Sequence, residues 1–174
     1  MSRFSKSGEI ISLQLMIDES HILINLSEQL LELLGEGDFY HHYASDDIFA
    51  QLMAMPTEIS QPDDPVLRRL LPNAYADPEA ADDFRRYTEP TLRKNKQNAL
   101  RAVREQLGVL VDKEETGSIE IDDPSIWLRA LNDLRLALSV RLGIEADAYE
   151  KFEVMPVYFW LGALQENLLE LVIR

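Results

Sequence analysis

Seven bases crowd one short stretch of this chain: Arg85, Arg86, Arg93, Lys94, Lys96, Arg101 and Arg104. Guanidinium and ammonium groups at that density could neutralise phosphates. A basic helical stretch followed by a hairpin is also the order found in winged-helix DNA readers. The competing explanation is intramolecular, with the same bases neutralising an acidic remainder or pairing across a subunit interface. A second constellation runs through Asp112, Glu114, Thr116, Glu120 and Asp123. These are oxygen donors at positions one, three, five, nine and twelve of a calcium-type loop, with Gly117 at six and Ile119 at eight. Three features oppose calcium: Gly108 would end the entering helix early, position twelve is not the longer Glu, and Asp123-Pro124 restarts a helix late. A hairpin turn accounts for the same residues.

Asp38, His42 and Asp46 would share a face if their region were helical, a conceivable metal triad. Adjacent His41 and His42 would point apart on such a helix, and no His-Glu-x-x-His motif is present. The expectation is therefore a polar loop whose tyrosines and Phe39 pack inward, with no metal. Further along, Arg129, Asn132, Asp133 and Arg135 interrupt an otherwise apolar helix, and Glu166 stands on the next one. Buried polar groups must be paired, so these five are expected to form a structural cluster, Arg129 with Asp133 and Arg135 with Glu166. The chain has no glycine-rich phosphate loop, no Gly-x-Ser-x-Gly elbow and no Glu-x-x-His pair. The expectation is a protein that is not an enzyme and takes no cofactor.

The elements that would position these residues are mostly helices. Ile11, Leu13, Leu15 and Ile17 alternate as on a strand, and Ser7-Gly8 could turn it onto Phe4, giving a hairpin near residues 3–17. Helices are predicted near 19–34, 46–54, 65–71, 78–87, 89–107, 124–142 and 155–172. Their marks are caps such as Asp77-Pro78 and Asp123-Pro124 and stops such as Gly35, Gly108 and Gly143. A second hairpin is expected over 109–121. Residues 124–142 are apolar around nearly the whole circumference, which predicts a central helix. The expected fold is a mainly α, single-domain helical bundle around that helix, with one or two small β-hairpins.

Composition narrows the function. The 174 residues carry 31 acids and 17 bases, a net charge of −14, with 46% hydrophobic residues and no cysteine. An apolar fraction of that size excludes a disordered acidic chain. The lack of cysteine excludes disulfides, zinc-thiolate sites and a thiol nucleophile. The charge is uneven: residues 1–64 hold 2 bases and 12 acids, residues 65–108 hold 9 and 6, and residues 109–174 hold 6 and 13. No apolar run approaches the roughly 20 residues of a spanning helix, and the N-terminus lacks a secretory pattern, so a cytoplasmic protein without membrane contact is expected.

Several blocks together resemble an actinobacterial family catalogued as a domain of unknown function. They are the Phe4 hairpin, Leu70-Leu71-Pro72-Asn73-Ala74-Tyr75, Phe84-Arg85-Arg86-Tyr87-Thr88-Glu89, Trp127 through Leu138, Arg141-Leu142-Gly143 and Trp160 through Glu166. That family is similar to the actinomycete oxidative stress regulators, commonly encoded beside the Clp-protease adaptor. The resemblance implies a cytoplasmic regulatory protein working with the transcription machinery, and it supplies no catalytic residues. Without cysteine, the chain's own thiols cannot sense an oxidant. The leading expectation is a transcription- and stress-linked regulator acting through protein partners, with homodimerisation open. The alternatives are a DNA-binding module using the basic stretch 85–104 and a Clp-linked adaptor or modulator.

Overall fold

The computed structural model describes residues 4–35, 60–112, 117–144 and 155–173. Strands β1 (Phe4–Ser7) and β2 (Ile10–Leu15) form the expected antiparallel hairpin. Gly8 makes the turn at a φ of 62°, a conformation that costs glycine nothing. Alternation does what it should: Ile11, Leu13 and Leu15 are buried, and Gln14 is exposed.

Five helices appear among the described residues: α1 (Ile17–Leu33), α2 (Pro65–Leu70), α3 (Pro78–Asp112), α4 (Pro124–Leu142) and α5 (Met155–Ile173). The predicted segment 46–54 lies outside them. α1 starts two residues earlier than its sequence suggests, because the Glu19 carboxylate accepts the Met16 amide at 2.9 Å and caps the first turn. Asp64, Asp77 and Asp123 each accept a backbone amide at the start of α2, α3 and α4. Gly143 closes α4 in the left-handed conformation at φ 59°.

Two expectations give way around α3. The predicted helices 78–87 and 89–107 are one continuous helix of 35 residues with Pro90 inside it. Proline has no N–H for the Arg86 carbonyl and costs about 3 kcal/mol in a helix interior. Interactions spanning Pro90 on the buried face, described below, offset that cost. The helix also passes through Gly108. An interior glycine costs about 1 kcal/mol, whereas burying the Leu110 side chain is worth about 1.5–3, so the helix continues and Leu110 (5% exposed) joins Val103 and Leu107 in the core.

Residues 109–111 are therefore helical, and the predicted 109–121 hairpin does not form. Its second half becomes β3 (Gly117–Ile121), which pairs antiparallel with β2 to give a sheet of order β1-β2-β3. Ile119 and Ile121 thereby fall opposite Leu13 and Ile11 on the buried face.

The protein is mainly α, with this small antiparallel sheet at its edge. α4 is the central helix: it touches α1, α2, α3 and α5. Trp127 anchors its start, wholly buried, with its indole N–H donating to Gln106 at 2.6 Å and its ring edge-on to Phe4 at 6.0 Å. Residues 135–140 of α4 are only half-buried. None of the described helices is long and apolar enough to cross a membrane.

Candidate functional site

α3 sorts the seven bases by helical phase. Arg85, Glu89 and Arg93 stand four apart on one face, and that face looks into the protein. The Glu89 carboxylate takes Arg85 Nη1 at 2.6 Å on one oxygen and Arg93 Nη2 at 2.5 Å on the other. The three side chains are 11% exposed or less. Each guanidinium then reaches the end of a neighbouring helix. Arg85 donates to the Leu71 carbonyl at 3.1 Å and to the Asn73 side chain, and Arg93 and Gln97 both donate to the Leu34 carbonyl at 3.1 Å. Those carbonyls lie at the C-terminal ends of α2 and α1, the negative ends of their dipoles. The triad staples both ends to α3 across Pro90.

Lys96 is also engaged inside. Its ammonium meets Asp133 of α4 at 2.7 Å, and Asp133 is 3% exposed. Burial pushes the Asp133 carboxyl above the usual carboxylate range, and Lys96 only partly restores it. The seven bases thus do not form one open stripe. Lys94 lies in the open; Arg86 sits over the Tyr87 ring at 5.8 Å; Arg101 donates to Asn98 at 3.2 Å; Arg104 is half-buried.

The α4 cluster is rewired in the same way. Asp133 pairs with Lys96 of the neighbouring helix and not with Arg129, which is exposed along the same helix. Arg135 donates to Gln165 at 2.6 Å, not to Glu166, which points outward. Its guanidinium lies against Tyr158 at 5.2 Å and in the space over Gly162, where an added Cβ would come within 3.4 Å of it. Spacing along the sequence finds partners on one helix. Here the partners come from the next helix, which only packing decides.

Of the calcium constellation, Glu120 is an exposed residue of β3 and Asp123 is committed to capping α4 through the Ser125 amide at 2.9 Å. Asp112 ends α3, and Glu114 and Thr116 lie outside the described residues, as do Asp38, His41, His42 and Asp46. Among the described residues no three His, Asp or Glu side chains are placed to hold a metal.

Two surface features have no counterpart in the sequence reading. A cleft of about 440 Å³ opens between α1, α2 and α4, walled by Leu26, Leu30, Val66 and Leu138, with Arg141 at its rim holding Asp64 at 2.9 Å. The second is the outer side of α5. Phe159 is 62% exposed, whereas Leu161 is wholly buried. Leu169, Val172 and Ile173 are 45%, 46% and 75% exposed. The available signal was that apolar residues surround α5, while one side is enough to bury it.

The described residues thus form a helical bundle with buried ionic staples and one helix side that leaves large apolar residues exposed. The family model described as Domain of unknown function (DUF2017) matches residues 1–172, and the chain belongs to that family. The chain is similar to the oxidative stress regulator AosR of Mycobacterium leprae, 32% identical over 173 residues, covering 86% of this chain and 76% of that one. It is 31% identical over 169 residues to the AosR proteins of Mycobacterium tuberculosis and Mycobacterium bovis, with the same coverage. No solved structure matches it.

Proposed function

We propose that this protein is a stress-linked regulator of the cytoplasm that works by binding other proteins, the transcription machinery among them, and not by catalysis. Support comes from the similarity to proteins named oxidative stress regulators, which extends over most of the chain. The observation that carries the mode of action is the fate of the bases. Arg85, Arg93 and Lys96 are turned inward onto Glu89 and Asp133, so the outside is left with an excess of carboxylates on a chain of net charge −14. Such a field slows approach to phosphate backbones and speeds approach to basic protein surfaces.

The test is paired. Native cytosol passed over the immobilised protein should yield components of the transcription machinery, and duplex DNA at low salt should show no shift. A DNA shift that weakens steeply with salt and disappears on Lys94→Glu plus Arg101→Glu would replace this reading with direct DNA binding through α3. Failure to capture any transcription component would remove the regulatory partner.

A further inference from the structure

We propose that the outer face of α5 is a docking seam for a basic amphipathic helix of a partner protein, a reading that rests on the protein-contact function above. The seam consists of Phe159, Ala163, Glu166, Glu170 and Ile173, spaced four, three, four and three residues apart, all exposed. That alternation is the core spacing of a coiled coil, and it runs straight along the helix for about 21 Å at about 1.5 Å per residue. A narrow, straight stripe four turns long is complementary to another helix lying beside it. Leu169 flanks the stripe and adds apolar area, while the small Ala163 lets a neighbouring backbone come close.

The identity of the occupant follows from charge. Apolar residues hold the two ends of the seam, and two carboxylates hold its middle. Among the described residues no base is paired with Glu166 or Glu170; Lys6 donates to the Leu171 carbonyl at 3.2 Å and Arg135 to Gln165 at 2.6 Å. A second copy of the chain would bring glutamate against glutamate in either direction and add another charge of −14. An anionic bilayer would meet the same repulsion. A helix with apolar residues at its ends and Lys or Arg between them satisfies all five positions. The opposite face of α5 is already spent: Leu161, Leu164 and Leu168 are buried, and Asn167 accepts the Phe4 amide at 2.8 Å.

The test uses the full-length protein and two synthetic helical peptides of about four turns, one with Leu at the outer positions of a stripe and Lys at the central ones, the other with Glu in place of Lys. Fluorescence anisotropy at physiological salt should show the Lys peptide binding and the Glu peptide not. In the variant Glu166→Lys plus Glu170→Lys the preference should reverse, with the Lys peptide about tenfold weaker or worse. The gain of Glu-peptide binding shows that the variant is folded. Equal binding of the Lys peptide to both proteins, amide shifts confined to the α1–α2–α4 cleft, or self-association lost on Ile173→Glu would each overturn the seam. A cytosolic partner captured equally by wild type and the charge-swapped variant would leave the regulatory function standing and remove this face. If no partner is captured at all, the function fails while the peptide reversal still decides the seam.

Discussion

α3 and α5 invert the usual relation between a helix's composition and its surroundings. α3 is rich in charged and amide residues, yet it sends two arginines, a glutamate and a glutamine into the interior. α5 is mostly apolar, yet it leaves Phe159 and Ile173 in water. The difference lies in what each helix has to join. α3 runs past the carboxyl ends of α1 and α2, where orphan carbonyls need donors, and long guanidinium side chains can supply several at once. α5 needs only one apolar stripe to hold α4 and β1, so its remaining apolar residues do nothing for the fold.

The comparison breaks most easily at Glu89. Replacing it by Ala removes the carboxylate that two buried guanidinium groups share, and the expected loss is about 3–5 kcal/mol of unfolding free energy in urea melts. Arg85→Met combined with Glu89→Leu removes charge from both sides and should cost less than Glu89→Ala alone. If Glu89→Ala costs under about 1 kcal/mol, as exposed pairs do, the inward triad is not what holds the helix ends.

Lys96→Met should come next, at about 3 kcal/mol near neutral pH, because it strands the Asp133 carboxylate. The sign with pH is definite. Asp133 has a folded pKa above its unfolded value, so its contribution is fully present below the unfolded value of about 3.9 and is lost as pH rises through the folded one. The penalty of Lys96→Met should therefore shrink on going from pH 7 to pH 3. Asp133→Asn should likewise gain on wild type as pH rises over the same interval. Asp64 and Asp123 run the other way. Burial alone would raise Asp64, but the Val66 and Leu67 amides and Arg141 more than compensate and hold it low. Asp123 is held low by the hydroxyl and amide of Ser125. Their stabilisation is present above about pH 3.9 and lost as pH falls through the lowered values. Denaturation midpoints of the single Asn variants across that range check both directions.

What was legible in the residues was local. Asp77-Pro78, Asp123-Pro124 and Gly143 set helix ends correctly because capping is a matter of a few neighbouring atoms. The bounds of α4 and its central place were readable for that reason and from its apolar circumference. The hairpin of β1 and β2 was readable from alternation around Gly8. What was not legible depended on the neighbour. Pro90 and Gly108 look like breaks unless the burial of Glu89 and Leu110 is known. Arg93 looks like a ligand for phosphate unless the Leu34 carbonyl, 59 residues away, is seen beside it. Val109–Val111 could pair as a strand or continue a helix, and the core contact of Leu110 decides it.

Gly108→Ala sharpens the same point with a gain. An added Cβ there meets nothing within 4 Å, and φ is not positive, so the backbone pays no strain. The helix should gain about 0.5–1 kcal/mol, read as a higher denaturation midpoint at unchanged slope. A loss would mean that α3 ends at Gly108 in solution, as the residues alone suggest.

The smallest effect is the most informative about α5. Phe159→Ser and Ile173→Ser remove large apolar side chains, which in a core would cost about 2–5 kcal/mol. Exposed at 62% and 75%, they lose little contact, and each should change stability by no more than about 0.5 kcal/mol. Leu164→Ser, on the opposite face of the same helix and 2% exposed, should be strongly destabilising and serves as the internal standard. If the outer substitutions cost as much as the inner one, α5 is covered on both sides in the free protein and has no face to offer. If they are silent in melts but abolish peptide binding, then the apolar excess of α5 belongs to recognition, as the polar excess of α3 belongs to the fold.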